Sequence, residues 1–354
     1  MNAFQKFNFS RFSIIFKNNS MLFYLVLAFA ISWTIWFIEP FFRTNNSLAA
    51  NCLIIFGSYG PVAAAMIVSA ISNPQRVKSP IIFRTIAGGL VLITAIYCNW
   101  PAVYALRAGL SNAWLWILLG FLTLLPAYIF FSSQSKISGV RDLLGSLLKL
   151  NVPLFWFVTA LFFMLALSVS GALITSLLNG QPLFSFYGAL LSSESLKNLP
   201  LTLMATALYG GPVGEEAGWR GFALPRLQKR FNPLAASVFL GLIWGFWHLP
   251  LHVTGYYNAA FGNPINGLLM RAITTIPLAI IFTWLYNRSG GNLLVMVILH
   301  TAVNVTSSLI NTGLGMFIVT AVAVIFMIVF DRMYRKLPSS TTEDKLESIG
   351  YAVP

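Results

Sequence analysis

The chain has 354 residues, of which 57% are hydrophobic and only 9% are charged, and its mean hydropathy is +0.77. A soluble protein has about 25% charged residues, so this composition excludes an ordinary soluble domain and indicates an integral membrane protein. The formal charge is +13, from 22 Lys and Arg against 9 Asp and Glu. These basic residues lie in short segments between apolar stretches, as the positive-inside rule expects of cytoplasmic loops. We therefore expect membrane lipid as a partner and no nucleic acid.

A membrane-spanning helix needs about 20 predominantly apolar residues, and the sequence offers ten such stretches. They run near 21–38, 49–72, 85–105, 112–132, 153–179, 198–220, 234–252, 267–286, 291–311 and 313–330. Eight spans are the alternative, because Gly and Pro interrupt several stretches, as at Gly210-Gly211-Pro212. Such interruptions occur in membrane helices where the broken backbone is buried in protein or lines a cavity. The predicted fold is all-α, a polytopic helical membrane bundle with about 8–10 transmembrane helices.

The charge pattern also predicts the orientation and the organisation of the chain. The first apolar run follows Lys6, Arg11 and Lys17 but lacks a small-residue cleavage site, so we interpret it as a retained signal anchor. Basic residues in alternate loops then predict that both termini are cytoplasmic. The predicted segments are a cytoplasmic N-terminal segment (1–20), N-terminal transmembrane helices (21–195) with an interfacial helix near 138–150, a core with the polar motifs (196–312), a last transmembrane helix (313–337) and a disordered tail (338–354).

Two adjacent glutamates, Glu215 and Glu216, lie inside an apolar segment. A charge at the centre of a membrane helix costs about 2.5 to 3.5 kcal/mol on insertion scales, so such residues are candidates for function. Arg220 lies one helical turn after Glu216 and can pair with it. Glu215 is rotated by about 100° from Glu216, so its carboxylate can face a neighbouring helix. Spacing alone is equally compatible with a structural ion pair and a spare glutamate.

All three histidines lie in the last third of the chain. His248 and His252 have the spacing of a zinc-binding pair, but Pro250 between them disfavours a regular helix and no Glu follows His248, so we discount His252. His300 and Asn304 are four residues apart and share a helix face, where a polar helix–helix contact is the simpler explanation. Together, however, three late spans supply a carboxylate, two imidazoles and an amide, which suffice to hydrolyse a peptide bond.

These residues resemble the motifs of the intramembrane CAAX prenyl protease and bacteriocin-processing family, also called the Abi or CPBP family. The first motif, Glu-Glu-x-x-x-Arg, falls on Glu215, Glu216 and Arg220; the second, Phe-x-x-x-His, on Trp244 and His248; the third, His-x-x-x-Asn, on His300 and Asn304. Trp244 replaces the family's Phe, an aromatic exchange that should preserve the wall of the site. The resemblance covers roughly residues 196–312. It implies an intramembrane endopeptidase that acts on a membrane-associated protein or peptide.

The motif residues can be assigned roles in the hydrolysis that the resemblance implies. Glu215 with His248 can hold and deprotonate a water, and His300 with Asn304 can donate hydrogen bonds to the oxyanion of the tetrahedral intermediate. Glu216 with Arg220 would hold the helix. The alternative is a zinc triad of Glu215, His248 and His300 with water as the fourth ligand. We favour the metal-free mechanism and assign no cofactor, since three possible ligands on three separate helices are weak evidence for a zinc site.

Two other classes of function stay open. The chain can be a non-catalytic bacteriocin immunity or binding protein that has kept the motifs, because the resemblance includes proteins of bacteriocin self-protection. A transporter with Glu215 and Glu216 as a proton relay predicts inverted repeats, whereas the polar groups here are confined to the C-terminal half. The expected membrane is the plasma membrane in a prokaryote and the endoplasmic reticulum in a eukaryote. Prenylated CAAX tails are the natural substrates in a eukaryote, and another membrane peptide in a prokaryote.

Overall fold

The structure is a computed structural model and describes residues 16, 18–44, 47–78, 81–109, 113–182, 193–257, 263–310 and 312–337. Within these ranges the regular secondary structure is helical, apart from one isolated bridge between Arg76 and Ile137. The all-α prediction is confirmed. Most of the predicted N-terminal segment and the predicted disordered tail lie outside the described residues.

The chain divides into two compact units. The first unit contains seven described helices together with residues 214–226. These helices are α1 (Ser20–Ile38), α2 (Pro40–Arg43), α3 (Ser47–Ser58), α4 (Gly60–Ser72), α5 (Ile81–Gly109), α6 (Ala113–Ser132) and α7 (Ser138–Gly145), the last followed by a 3-10 turn at Ser146–Leu148. Val140, Leu143, Leu144 and Leu147 are buried apolar residues of α7 and this turn, in the region 138–150 for which the sequence predicts an interfacial helix.

The second unit contains most of the later helices. They are α8 (Leu154–Leu178), α9 (Ser193–Tyr209), α12 (Pro233–Trp247), α13 (Leu249–Val253), α14 (Pro264–Arg288), α15 (Leu293–Leu309) and α16 (Gly313–Phe330). Between α9 and α12 the chain forms α10 (Pro212–Gly218), a π-helical turn (Trp219–Ala223) and α11 (Leu224–Arg230). The predicted core, residues 196–312, was drawn around the three motifs, and its bounds differ from those of the two compact units. The predicted segment boundaries stay a prediction.

Seven helical segments within the described residues are long and apolar enough to cross a membrane. They are Ser20–Arg43, Ser47–Ser72, Ile81–Val103, Ala113–Ser132, Leu154–Leu178, Pro264–Arg288 and Gly313–Phe330. The apolar helices α12 and α15 are shorter, with 15 and 17 residues. Large apolar side chains face outward, such as Ile82 at 79% and Phe41 at 77% exposure. Such a surface suits lipid rather than water, and the protein is an integral, multi-pass membrane protein.

Two predicted spans are corrected by the structure. The stretch 198–220 is not one helix, because α9 ends at Tyr209 and Gly211 adopts a φ of 110°, a conformation that glycine allows. Pro212 then begins α10, which suits a proline because the first helical position needs no N–H donor. The stretch 234–252 is likewise divided, since α12 ends at Trp247 and α13 begins at Leu249. The Glu pair and His248 therefore lie at helix breaks rather than inside continuous spans.

Small residues bring the helices of each unit into close contact. In the first unit, Ser32 of α1 donates a hydrogen bond to the Gly57 carbonyl at 2.7 Å, and a Cβ on Gly60 would collide with the same Ser32 hydroxyl. In the second unit, Gly241 and Gly245 of α12 lie directly against the backbone of α14. The α12–α14 contact fixes the helix that leads to His248.

Candidate active site

Glu216 and Arg220 form a fully buried ion pair. Arg220 Nη1 donates to Glu216 Oε1 at 2.9 Å, and both side chains are 0% exposed. This is the pair that the spacing predicts, although Arg220 lies in a π-helical turn rather than in a regular helix. π-Helical turns are rare and are found frequently at functional sites. Because each charge is removed from water, each needs the other to remain buried.

Glu215 lies in α10 next to this pair and is only 5% exposed. The same helix rests on the break between α3 and α4: a Cβ on Gly214 would lie 2.7 Å from the Ser58 carbonyl, and a Cβ on Gly218 would lie 2.6 Å from Pro61. Both glycines therefore let α10 approach the neighbouring backbone more closely than any other residue would. The carboxylate of Glu215 is held on a short helix with a well-defined position in the first unit.

Tyr24 of α1 is a residue of this region that the sequence reasoning missed. Its ring lies 4.7 Å from that of Phe222 and 5.7 Å, edge-on, from that of Trp219, and the side chain is fully buried. The charges of Arg220, Glu215 and Glu216 all act on its hydroxyl group. A tyrosine near the start of the apolar first span was the available signal, since a buried hydroxyl group requires a polar environment.

His248 occupies the break between α12 and α13, and its protonation pattern follows from its hydrogen bond. Nδ1 lies 2.7 Å from the Trp244 carbonyl oxygen. A carbonyl oxygen only accepts, so Nδ1 carries the proton, and in the neutral imidazole Nε2 is left as the acceptor. The side chain is buried, at 7% exposure. His248 is thus oriented as a base or a metal ligand through Nε2.

Trp244 lies between the two predicted imidazoles. Its ring centroid is 6.1 Å from that of His248 and 5.6 Å from that of His300, with the His300 ring edge-on. Phe282 of α14 also packs edge-on against His300, at 5.7 Å. Trp244, at the position where the family has Phe, therefore forms an aromatic surface in contact with both imidazoles.

Asn304 connects α15 to the chain just before α10. Its Nδ2 donates to the Gly210 carbonyl at 2.8 Å. An amide carries two N–H donors, so this bond uses one of them and leaves the second for another acceptor. Asn304 thus holds the backbone at the Gly210–Gly211 break while keeping one donor.

His252 has a different environment from the other two histidines. Its ring lies 5.0 Å from that of Tyr257, and a Cβ on Gly267 would lie 2.6 Å from its Nδ1. It is therefore packed against the start of α14 rather than against the Trp244 ring.

The predicted site residues belong to the two units as two groups. Glu215, Glu216 and Arg220 lie in the first unit, and Trp244, His248, His300 and Asn304 in the second. Within the described parts of the chain, no three His, Cys, Asp or Glu side chains are grouped as metal ligands.

The fold and these side chains define a multi-pass helical membrane protein with carboxylate and imidazole groups close to breaks in its helices, and with a second imidazole and an amide on α15. Residues 197–306 match the family described as Type II CAAX prenyl endopeptidase Rce1-like. The chain is also 28% identical, over 154 residues, to CAAX prenyl protease 2 of Methanococcus maripaludis, in an alignment that covers 40% of this chain and 55% of that relative. Residues 197–306, which contain the predicted motifs, are thus similar to CAAX prenyl endopeptidases, as the motif resemblance predicts. It spans about half the length of the curated relative it matches.

Proposed function

We propose that this protein is an intramembrane endopeptidase that hydrolyses a peptide bond in a membrane-associated protein or peptide. The observation that carries the proposal is the state of His248, which is buried against Trp244, the ring that also contacts His300, and has Nδ1 bound to a backbone carbonyl. A base needs this arrangement, because the second nitrogen is then oriented and unprotonated. All seven motif residues fall within the segment that matches the family.

The mechanism requires Glu215 and His248 Nε2 to contact the same water. These two groups deprotonate the water as it attacks the scissile carbonyl, and general-base help of this kind contributes about 10² to 10⁴ in rate. His300 and the second N–H of Asn304 then donate to the oxyanion of the tetrahedral intermediate. The proton taken from the water passes from the base to the nitrogen of the scissile bond as the C–N bond breaks, so that the product leaves as a neutral amine. Glu216 and Arg220 keep α10 in position without taking part in the proton transfers.

The proposed substrate is a lipid-anchored peptide tail. The name of the relative, CAAX prenyl protease 2, refers to a C-terminal motif whose cysteine is prenylated. A prenyl chain partitions into the bilayer, so it would hold such a tail close to a site embedded in membrane helices. We further propose that both termini are cytoplasmic, since the basic loops lie on the side of the N-terminus.

Cleavage of a defined peptide tests the proposal. The purified protein in lipid nanodiscs is incubated with a farnesylated peptide that ends in a CAAX sequence, and with the same peptide without the lipid, and products are identified by mass spectrometry. We expect one new C-terminus from the farnesylated peptide. Glu215→Gln should reduce the rate by about 10² to 10⁴, whereas Glu194→Gln, an exposed glutamate, should leave it unchanged. Absence of cleavage by the wild type, or full activity of Glu215→Gln, would contradict the proposal.

A further inference from the structure

Arg271 is a cation inside a membrane-spanning segment that the mechanism above does not use. It lies in the second turn of α14, which is one of the segments able to cross the membrane. The ion pairs within the described residues are Arg43–Glu39, Arg141–Asp142, Arg220–Glu216 and Arg288–Asp331, and none includes Arg271. An ionisable residue at such a place is costly, and it usually marks a binding or transport site.

The neighbours of Arg271 are aromatic rings next to the proposed base. Its guanidinium carbon lies 4.4 Å from the centroid of the Tyr257 ring, which is within the range of a cation–π contact. The Tyr257 ring is in turn 6.2 Å from the ring of His248. The charge of Arg271 acts on the imidazole of His248 as well as on that of His252. Arg271 is therefore adjacent to the candidate active site, and all of these residues lie in the second unit.

The position of Arg271 relative to His248 is fixed by the backbone contact between their helices. Thr275, one turn after Arg271, donates to the Gly241 carbonyl of α12 at 3.0 Å and lies 2.8 Å from the Arg271 carbonyl oxygen. A Cβ on Gly245 would lie 2.8 Å from the same Thr275 hydroxyl. Such close packing leaves little freedom for one helix to slide past the other. The backbone of Arg271 is consequently held against α12, and its guanidinium contacts the Tyr257 ring.

The N–H donors of a guanidinium lie in the plane of the guanidinium itself, so contact with a ring face leaves donors at its edge available to bind an anion. Arginine donors match carboxylates in a planar, two-bond geometry. The separations of 6.2 Å from His248 to Tyr257 and of 4.4 Å from Tyr257 to Arg271 place the guanidinium within about 11 Å of the His248 ring, a distance that three extended residues can span. A CAAX tail ends three residues after its lipidated cysteine, in a free carboxylate.

We propose that Arg271, supported by Tyr257, binds the C-terminal carboxylate of the substrate while the scissile bond lies at His248. The inference rests on the proposed function. It makes this protein an endopeptidase whose cleavage position is set by the distance from the C-terminus of the substrate. An internal peptide bond far from a free C-terminus would then be a poor substrate.

The test compares two farnesylated peptides that differ only in a C-terminal carboxylate or amide. The wild type should favour the carboxylate by about ten- to a hundred-fold in kcat/KM, as expected for hydrogen bonds to a charged group. Arg271→Gln should reduce hydrolysis of the carboxylate peptide to the level of the amide and leave the amide unchanged. Arg271→Lys should keep part of the preference. The matched control is Arg335→Gln, which removes an arginine beside Tyr334 at the end of the last helix.

Three outcomes overturn the inference: an unchanged carboxylate preference in Arg271→Gln, an equal loss on both peptides, or a loss that appears only in nanodiscs with anionic lipid. The last would identify Arg271 as a headgroup contact. If Arg271→Gln does not fold, Tyr257→Leu removes the supporting ring without changing α14 and should reduce the same preference.

Equilibrium binding of the two peptides to the wild type and Arg271→Gln separates this inference from the proposed function. A carboxylate preference in binding that depends on Arg271, without any cleavage, supports the subsite and contradicts the protease. Cleavage that depends on Glu215 but ignores the C-terminal group contradicts the subsite alone. A protein that neither binds nor cleaves either peptide contradicts both.

Discussion

The ring of Tyr24, in the first described transmembrane helix, packs on the ring of Phe222, in the π-helical turn after the glutamate pair, with centroids 4.7 Å apart. Phe222 is two residues after Arg220, so α1 helps to fix the turn that carries the buried cation. The N-terminal half of the chain thus contributes a side chain to the surroundings of the first motif. The contact between Tyr24 and Phe222 should therefore contribute to the free energy of unfolding.

Tyr24→Ala should lower the free energy of unfolding by about 3 to 5 kcal/mol, because truncation of a buried aromatic side chain leaves a cavity. Tyr24→Phe should cost much less, since the ring contacts remain and the hydroxyl has no hydrogen-bond partner among the described residues. Thermal unfolding in detergent compares the two, with Tyr128→Ala, a 59% exposed tyrosine, as control. If Tyr24→Phe were as destabilised as Tyr24→Ala, the hydroxyl and not the ring would be the important group.

Arg220→Met should destabilise the protein by about 3 to 5 kcal/mol, because it leaves the Glu216 carboxylate buried without its cation. Replacement of both residues, by Arg220→Met together with Glu216→Leu, should recover much of this loss. The control pair is Arg288 and Asp331, in which Arg288 is 54% exposed, so Arg288→Met should cost less than about 1 kcal/mol. A double variant that is less stable than Arg220→Met would show that the destabilisation of Arg220→Met does not come from the unpaired Glu216 carboxylate.

His248 should be observed as the Nδ1-protonated tautomer, since Nδ1 donates to the Trp244 carbonyl. The chain has only three histidines, so ¹⁵N spectra of histidine-labelled protein can be assigned with His→Ala variants. At a pH where the ring is neutral, Nδ1 of His248 should carry the proton and Nε2 should not. The Nε2-protonated form would remove the acceptor that the mechanism needs.

Asn304→Ala should lower kcat by about 10² to 10³ with little change in KM, as expected for the loss of one donor to an oxyanion. Because Asn304 also donates to the Gly210 carbonyl, the thermal unfolding of the same variant must be measured. Ser307→Ala is the control on the same helix, since the hydrogen bond that the Ser307 hydroxyl makes within the described residues goes to the backbone carbonyl of Val303. An effect on KM alone would assign Asn304 to substrate binding instead of to the oxyanion.

Chelators should leave the wild type active, because side chains of this chain are proposed both to deprotonate the water and to stabilise the oxyanion. In the zinc alternative, chelation removes activity, zinc restores it, and His300→Ala lowers the metal content. Elemental analysis of the active protein distinguishes the two. Zinc present in a one-to-one ratio and rising and falling with activity would contradict the metal-free mechanism.

The sequence by itself determined the features that depend on local helix geometry. Apolar stretches of sufficient length predicted the membrane class, and the spacing of Glu216 and Arg220 predicted their pair, because residues four apart share a face of a helix whatever surrounds it. The three motifs also indicated the family, since their order and spacing are properties of the chain.

Only the tertiary structure decided which distant side chains meet. The contacts of Tyr24 with Phe222, of Trp244 with both imidazoles and of Arg271 with Tyr257 arise from helices that are packed through glycines and a threonine. Nothing in the local pattern marks these partners, because hydrophobic packing is non-directional and many helix pairings would bury similar apolar area. The tertiary structure also decided where the stretch 198–220 is divided. Gly210 and Gly211 permit a break, and the hydrogen bond from the Asn304 amide to the Gly210 carbonyl stabilises it.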